Sequence, residues 1–343
     1  MPNPDPGTRS RVRRALPAIL GVGVSLALLL WAVRGVSLDE VWRQVRAAKP
    51  LPLATAVTLA TLTFPLRLVR WRLLLRDEKG FPYPPGPLWH AVALGFMANN
   101  LLPLRAGELV RSYTASRLAG IRFTTVLSSV AVERIFDALT IIALLTLALL
   151  RPDLPPSVTV GGVSVAHLAQ TAALIGVACL VLAILVLAAP LSAERLVRRL
   201  LPRQGIADRI VSLIEGIRQG LVVLRAPARL ALVIFWSLVL WLLNALAFHV
   251  GFSAFDIPVT FYGALLMQGL LVLGISIPST PGFFGPFEAV IVAVLGLYGV
   301  PKDVAFSYAI SFHVTSFIPI TLLGLWSFTR APNAVNGLSQ KQP

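Results

Sequence analysis

The chain has very few acidic groups and almost no sulfur chemistry. Of its 343 residues only 15 are Asp or Glu, and one, Cys179, is cysteine. A lone cysteine excludes an intramolecular disulfide framework. Together with the four histidines it forms no recognised metal-ligand spacing, so no metal and no cofactor is expected. No hydrolase elbow, P-loop or dinucleotide-binding glycine pattern occurs in a supporting context, which leaves no conventional soluble-type active site. Charged residues make up 13% of the chain and hydrophobic ones 56%, a composition that excludes an ordinary soluble domain.

What is present is apolar sequence. Runs of about 20 residues recur along the chain, each long enough to cross roughly 30 Å of hydrocarbon as a helix that satisfies its own backbone. Six clear spans are expected at residues 15–33, 51–71, 123–150, 165–189, 229–252 and 304–328. The arginines ahead of the first run resemble a signal peptide, but the run is long enough to span and lacks a small-residue cleavage site. It is read as the first helix. Two further apolar regions, 87–120 and 258–300, are interrupted by Pro and Gly at 101–107 and 278–286. Such interruptions end helices inside a bilayer.

Charge decides how these broken regions lie. The net charge of +15 is spread between apolar runs and not gathered in one basic module, so it sets orientation on an anionic membrane and does not suggest a nucleic-acid partner. If the first broken region crossed fully, residues 191–228, with seven arginines against three acids, would face outside; as a re-entrant hairpin it leaves them inside, which the positive-inside rule favours. Both termini then face the cytoplasm of a multi-pass inner (cytoplasmic) membrane protein, and residues 67–79 count among its cytoplasmic basic clusters. The exception is 34–49, whose Arg34, Arg43, Arg46 and Lys49 fall outside, and whose Val36, Leu38, Val41, Trp42 and Val45 suggest an interfacial amphipathic helix. The same reasoning makes 258–300 a hairpin from the opposite face. The expected fold is therefore an all-α integral membrane protein of six transmembrane helices and two re-entrant hairpins in an inverted repeat. A single membrane domain, 1–330, is built of halves 15–150 and 165–330, with 331–343 a disordered tail. Residues 191–228 form an amphipathic cytoplasmic connector, lying on headgroups or docking a partner.

The scarce acids single out three constellations, because an ionisable group at bilayer depth costs about 2.5–3.5 kcal/mol on insertion scales and so faces a cavity or a partner. In the first, Asn99 and Asn100 precede a break at Pro103 and Gly107, with Arg105, Glu108, Arg111 and Tyr113 around it. Glu108 and Arg111 are three apart and can pair, and a helix restarting near Ala106 offers amides to a lipid phosphate; otherwise this is a surface loop that sets topology. In the second, Glu133, Arg134 and Asp137 lie in one apolar run, with the two acids one helical turn apart. They are either a buried network locking helices or a site for a cationic headgroup or a proton. In the third, Pro278, Pro281, Gly282 and Gly285 break the chain ahead of Glu288, which either caps the next helix or contacts a ligand. His249 and His313 lie within spans and are read as hydrogen-bonded packing ahead of proton shuttling.

Three motifs in this order, Asn100-x-Leu-Pro103-x-Arg105-Ala-Gly107-Glu108 with Arg111 and Tyr113, Glu133-Arg134-x-x-Asp137, and Pro278-Ser-x-Pro281-Gly282-x-x-Gly285-x-x-Glu288, resemble the lysylphosphatidylglycerol synthase transmembrane-region family of flippase-like proteins. The resemblance implies movement of aminoacylated phospholipid between leaflets, or work beside glycosyltransferases acting on lipid carriers. It implies a functional core at the motif residues. The chain ends shortly after its last span, so the soluble aminoacyl-transferase domain of relatives is not expected. The leading expectation is a non-enzymatic lipid flippase, with Arg105 and Arg111 on phosphate and Glu133, Asp137 or Glu288 balancing a cationic headgroup or a proton. Its partners are membrane lipids. Rival readings are a non-transporting partner that presents a lipid carrier to a glycosyltransferase or synthase, and an intramembrane enzyme using Glu133 and Asp137 as acid and base.

Overall fold

In the computed structural model, the described residues are 21–77, 79–102, 106–150, 159–160, 163–164, 167, 170–172, 174–178, 181, 226–276 and 280–331. Most of the fourth expected span and of the connector, and all of the tail beyond Ala331, lie outside them. Helix α1, Gly21–Val33, is followed at 81° by α2, Leu38–Ala47. Ser37 starts α2, its Oγ accepting from the Glu40 amide at 3.4 Å, and Asp39 and Glu40 complement the positive end of the helix. Leu38 and Trp42 are exposed and no residue of α2 is buried, as the amphipathic pattern anticipates.

The first broken region follows α3, Pro50–Leu74, and is formed by α4, Pro85–Leu101, and α5, Gly107–Ala119. Helix α5 ends at Gly120, whose left-handed φ of 68° lets the chain turn into α6, Phe123–Leu150. A small hairpin pairs Thr159–Val160 with Val163–Ser164. Helix α7, Pro227–Phe252, leads to the second broken region. This is α8, Phe261–Gly274, a 3₁₀ turn at Pro281–Phe283, and α9, Pro286–Leu297. Helix α10, Lys302–Arg330, closes the fold. The membrane class is plain: α3, the α7 segment to Phe255 and α10 are each long and apolar enough to cross a bilayer, and α1 with α2 makes a fourth if that bent pair is one span. Helix α6 is longer than α3 but is not among them, because Glu133, Arg134 and Asp137 interrupt its apolar sequence.

Long antiparallel contact between α3 and α7 forms the spine. Lys49 at the start of α3 donates its amide to Ala254 O at 2.9 Å and pairs with Asp256, while Arg70 near the far end reaches Ser237. Around it, α4 packs on α5 and α10, α8 on α9 and α6, α5 on α6, and α9 on α10. Lys302 caps the end of α1, donating to the carbonyls of Trp31 and Arg34 at 3.0 and 2.6 Å.

Two glycines let α4 and α5 touch backbone to backbone. A Cβ at Gly107 would lie 1.9 Å from Gly95 O, and one at Gly95 would lie 2.7 Å from Arg111 Cβ. Gly107→Ala should therefore lower stability by about 1–3 kcal/mol through overpacking. Gly296→Ala on α9, where a Cβ meets nothing within 4 Å, should leave stability unchanged or raise it. Thermal unfolding of the two variants in detergent compares them.

Candidate functional site

Helix α6 carries Glu133 and Asp137 one turn apart, so both project on one side, and both are buried. Three helices bring cations to that side. Arg67 and Arg70 come from α3, Arg111 from α5, and Arg134 from α6 itself. Arg111 grips Glu133 with both terminal nitrogens, at 3.1 and 2.9 Å, and stacks over the Trp71 ring with its Cζ 3.8 Å from the centroid. Arg70 donates to Asp137 Oδ1 at 2.6 Å and lies 3.3 Å from Glu133 Oε1. Arg134 Nη2 reaches Glu133 at 2.7 Å and Asp137 at 3.2 Å, and its Nε lies 3.7 Å from Glu108.

Neutral donors and acceptors complete the shell. Trp241 Nε1 of α7 donates to Asp137 Oδ1 at 2.9 Å, Arg70 donates to Ser237 Oγ at 3.0 Å, and Trp71 Nε1 donates to Ser129 Oγ at 3.0 Å. A buried ion is tolerated only when its desolvation is offset by close pairing, and here each buried carboxylate faces at least two guanidinium groups.

The charges do not cancel. Four guanidinium groups, of Arg67, Arg70, Arg111 and Arg134, face three carboxylates, of Glu108, Glu133 and Asp137. Arg67 is the one left over. It is 8% exposed, makes no hydrogen bond or ion pair among the described residues, and its Nε is buried without a partner. Its guanidinium lies over two rings, 5.1 Å from the Phe96 centroid and 5.6 Å from that of Trp241.

At the first break, Asn99 Oδ1 accepts the Gly107 amide at 2.9 Å, so a side chain from the end of α4 caps the start of α5. Asn100 Nδ2 donates to Thr321 Oγ1 on α10 at 3.0 Å. Pro103 and Arg105 lie outside the described residues. The expected Glu108–Arg111 pair does not form: Arg111 faces inward to Glu133, and half-exposed Glu108 faces Arg134. Tyr113 stands away from the cluster with Arg117, whose Nε donates to its Oη at 3.2 Å.

At the second break, Pro281 opens the 3₁₀ turn and the chain reverses through Gly282, Phe283 and Gly285, with φ of 68°, 63° and 98°; Pro278 lies outside the described residues. Glu288 reaches back to cap α9, its Oε2 accepting the Gly285 amide at 2.7 Å. Its Oε1 lies 2.6 Å from His313 Nδ1 on α10, and His313 Nε2 is 2.8 Å from Gly282 O. The breaks lie against each other and against α1. A Cβ on Gly282 would come within 3.3 Å of Asn100 O, one on Gly285 would come within 2.1 Å of Ser25 O, and the Thr280 amide donates to Ser25 Oγ at 2.8 Å.

Arg67 and Arg70, read from sequence as part of a cytoplasmic cluster, are buried among helices, and His313 joins Glu288. The legible signal was an Arg-x-x-Arg-Trp run inside an expected span, which puts two cations on one helical face. Among the described residues no three His, Cys, Asp or Glu side chains converge as metal ligands would. Asp137→Ala takes from buried Arg70 its shortest carboxylate contact and should cost about 3–5 kcal/mol, whereas Asp137→Asn, which still accepts from Trp241, should cost less. Thermal unfolding in detergent ranks the two.

Residues 18–324 match the family described as the lysylphosphatidylglycerol synthase TM region. A UPF0104 membrane protein of Methanothermobacter thermautotrophicus is 25% identical over 317 residues, covering 89% of this chain and 90% of that one. A second UPF0104 membrane protein of the same organism is 23% identical over 315 residues, covering 83% and 85%. Glycosyltransferase AglD of Haloferax volcanii is 32% identical over 136 residues, which are 40% of this chain and 22% of that protein, so the chain spans well under two thirds of it. With a match that runs through all the helices bearing the buried charges, this membrane protein belongs to the lysylphosphatidylglycerol synthase transmembrane-region family.

Proposed function

We propose that the chain moves lipids with a polar, phosphate-bearing headgroup between the leaflets of the inner (cytoplasmic) membrane, as a transporter and not an enzyme. The observation that carries this reading is Arg67: an unpaired, buried cation, which gives the cluster its one positive charge in excess, is a receptor for an anion. A lipid phosphate supplies that charge, and the rings of Phe96 and Trp241 flank the guanidinium that receives it. Glu133 and Asp137 are each held by two or more guanidinium groups, which suits a fixed electrostatic scaffold better than acid-base catalysis.

The proposal includes an inverted repeat of α3–α6 and α7–α10 within one membrane domain, with two re-entrant hairpins, six spans and both termini in the cytoplasm. Helix packing supports it. Exchanging α3 with α7, α4 with α8, α5 with α9 and α6 with α10 converts every packed pair among these helices into another packed pair. Thus α4 on α10 becomes α8 on α6, and α5 on α6 becomes α9 on α10. The breaks share a Pro-x-x-x-Gly spacing, Pro103 to Gly107 and Pro281 to Gly285.

A second reading, a partner that presents a lipid carrier to a glycosyltransferase, draws on the 32% identity to part of glycosyltransferase AglD. Purified protein in liposomes containing headgroup-labelled phospholipids, probed with a membrane-impermeant quencher, separates the two. Transport predicts protein-dependent access to inner-leaflet label; unchanged access across a broad panel of phospholipids and glycolipids defeats it. Arg67→Met should slow exchange about ten-fold or more, as expected for loss of one charge-assisted contact of about 1.5–3 kcal/mol, while leaving the unfolding temperature unchanged or raised. Equal exchange by the variant removes Arg67 from the path.

A further inference from the structure

The two breaks are locked in the same way but with opposite polarity. In the first half, Arg111, four residues past Gly107, grips Glu133 on the following span; in the second, Glu288, three residues past Gly285, grips His313 on the following span. Glu133 is the eleventh residue of α6 and His313 the twelfth of α10, so the contacts occupy corresponding places. A guanidinium does not release its proton in a protein, so the first lock is permanent. An imidazole facing a carboxylate holds a proton that can leave.

The hydrogen-bond partners determine where protons sit. His313 Nε2 faces a backbone carbonyl, Gly282 O, which only accepts, so Nε2 carries a proton. Glu288 Oε2 accepts the Gly285 amide. At 2.6 Å, Nδ1 and Oε1 require one proton between them. With it on Nδ1 the pair is imidazolium and carboxylate; with it on Oε1 the pair is imidazole and carboxylic acid. The atoms and the net charge, zero, are the same in both. Its removal leaves the Nδ1 lone pair directed at a carboxylate, a buried charge of minus one, and no bond between α9 and α10 at this point.

The surroundings isolate the pair. Phe284 and Phe287 stack on the His313 ring, centroids at 4.4 and 4.1 Å, and both partners are buried. No other charged group among the described residues lies within ion-pair distance of either. On the elements packed around α9, α10 and the turn, described α1 and α8 residues carry no charge and α4 carries only His90. Helix α3 carries Arg67, Arg70 and Arg72, α7 carries Arg229 and His249, and α2 has its own Glu40–Arg43 pair with Asp39 and Arg46. The other titratable groups of α10 are Lys302, Asp303 and Arg330 near its ends and Tyr308, bonded to Phe248 O.

We propose that Glu288 and His313 form a proton-binding site that couples transport to a proton gradient by releasing the second broken element when the shared proton leaves. The coupling rests on the transport reading above; the proton site does not. Two measurements on the full chain keep them apart. Amide hydrogen exchange over residues 281–288, corrected for its intrinsic pH dependence, should show protection falling as the pH is raised and the shared proton leaves. In Glu288→Gln, whose amide bonds both partners with no proton to release, protection should be flat. Flat protection in the wild type, or a wild-type pH response in Glu288→Gln, overturns the site. If Glu288→Gln does not fold, ¹⁵N spectra of the wild-type histidines, four in all, decide: a proton on Nε2 throughout and one lost from Nδ1 supports the site, and an unchanging His313 overturns it.

In liposomes, an imposed pH gradient should change the rate of headgroup exchange by several-fold in the wild type and not in Glu288→Gln. Exchange that ignores the gradient in the wild type overturns the coupling while the transport reading stands. Absence of any headgroup exchange, with the hydrogen-exchange result intact, instead defeats the transport reading and leaves the proton site supported.

Discussion

Glu133 is the point on which the helical assembly turns. A carboxylate with no access to water in a bilayer protein needs cations at hydrogen-bond distance, and Glu133 draws them from three helices: Arg70 of α3, Arg111 of α5 and Arg134 of α6. Asp137, one turn on, adds α7 through Trp241. Four helices are thereby fixed in relative height and rotation by charge pairing, where apolar packing alone would leave them free to slide. The α3–α7 spine follows, because Arg70 bonds both Asp137 and Ser237.

The same requirement governs the breaks. A chain that stops being helical inside apolar surroundings leaves amides and carbonyls that must find partners within the protein. Asn99 and Glu288 each reach back to one freed amide, Gly107 and Gly285. Glycine stands where no side chain fits: Gly107 against Gly95 O, and Gly285, with φ of 98°, against Ser25 O. These close approaches seat the two breaks beside each other, with Gly282 near Asn100 O, and put irregular backbone next to the charged cluster.

Asymmetry within this framework carries the functional readings. One lock is arginine to glutamate and permanent; the other is glutamate to histidine and holds a proton that can leave. One cation, Arg67, is left without a carboxylate. A scaffold built for stability alone would lack both features, since an uncompensated buried charge and a titratable buried pair are each costly. Under the transport proposal, the first meets the headgroup and the second responds to the gradient.

Much was legible in the residues themselves. Apolar runs locate α3, α7 and α10 because only a self-satisfied helix suits such sequence, and α2 declared itself by amphipathic spacing. Rare acids in apolar surroundings marked Glu133, Asp137 and Glu288, since the bilayer's cost for a lone charge is independent of the fold. Pro and Gly at 281, 282 and 285 marked the second break. Partner choice was not legible. Helical spacing allows Glu108 to meet Arg111, but which face of α5 turns inward depends on how α5 lies on α4 and α6, and that sends Arg111 to Glu133. Arg70 read as part of a cytoplasmic basic cluster because its counter-charges lie on α6, some 67 residues further along for Asp137, and His313 read as packing because its carboxylate is 25 residues away on another helix. Sequence determined which groups could not stand alone in a membrane; tertiary structure decided which met, because pairing between helices depends on their rotation and depth, and no local spacing encodes either.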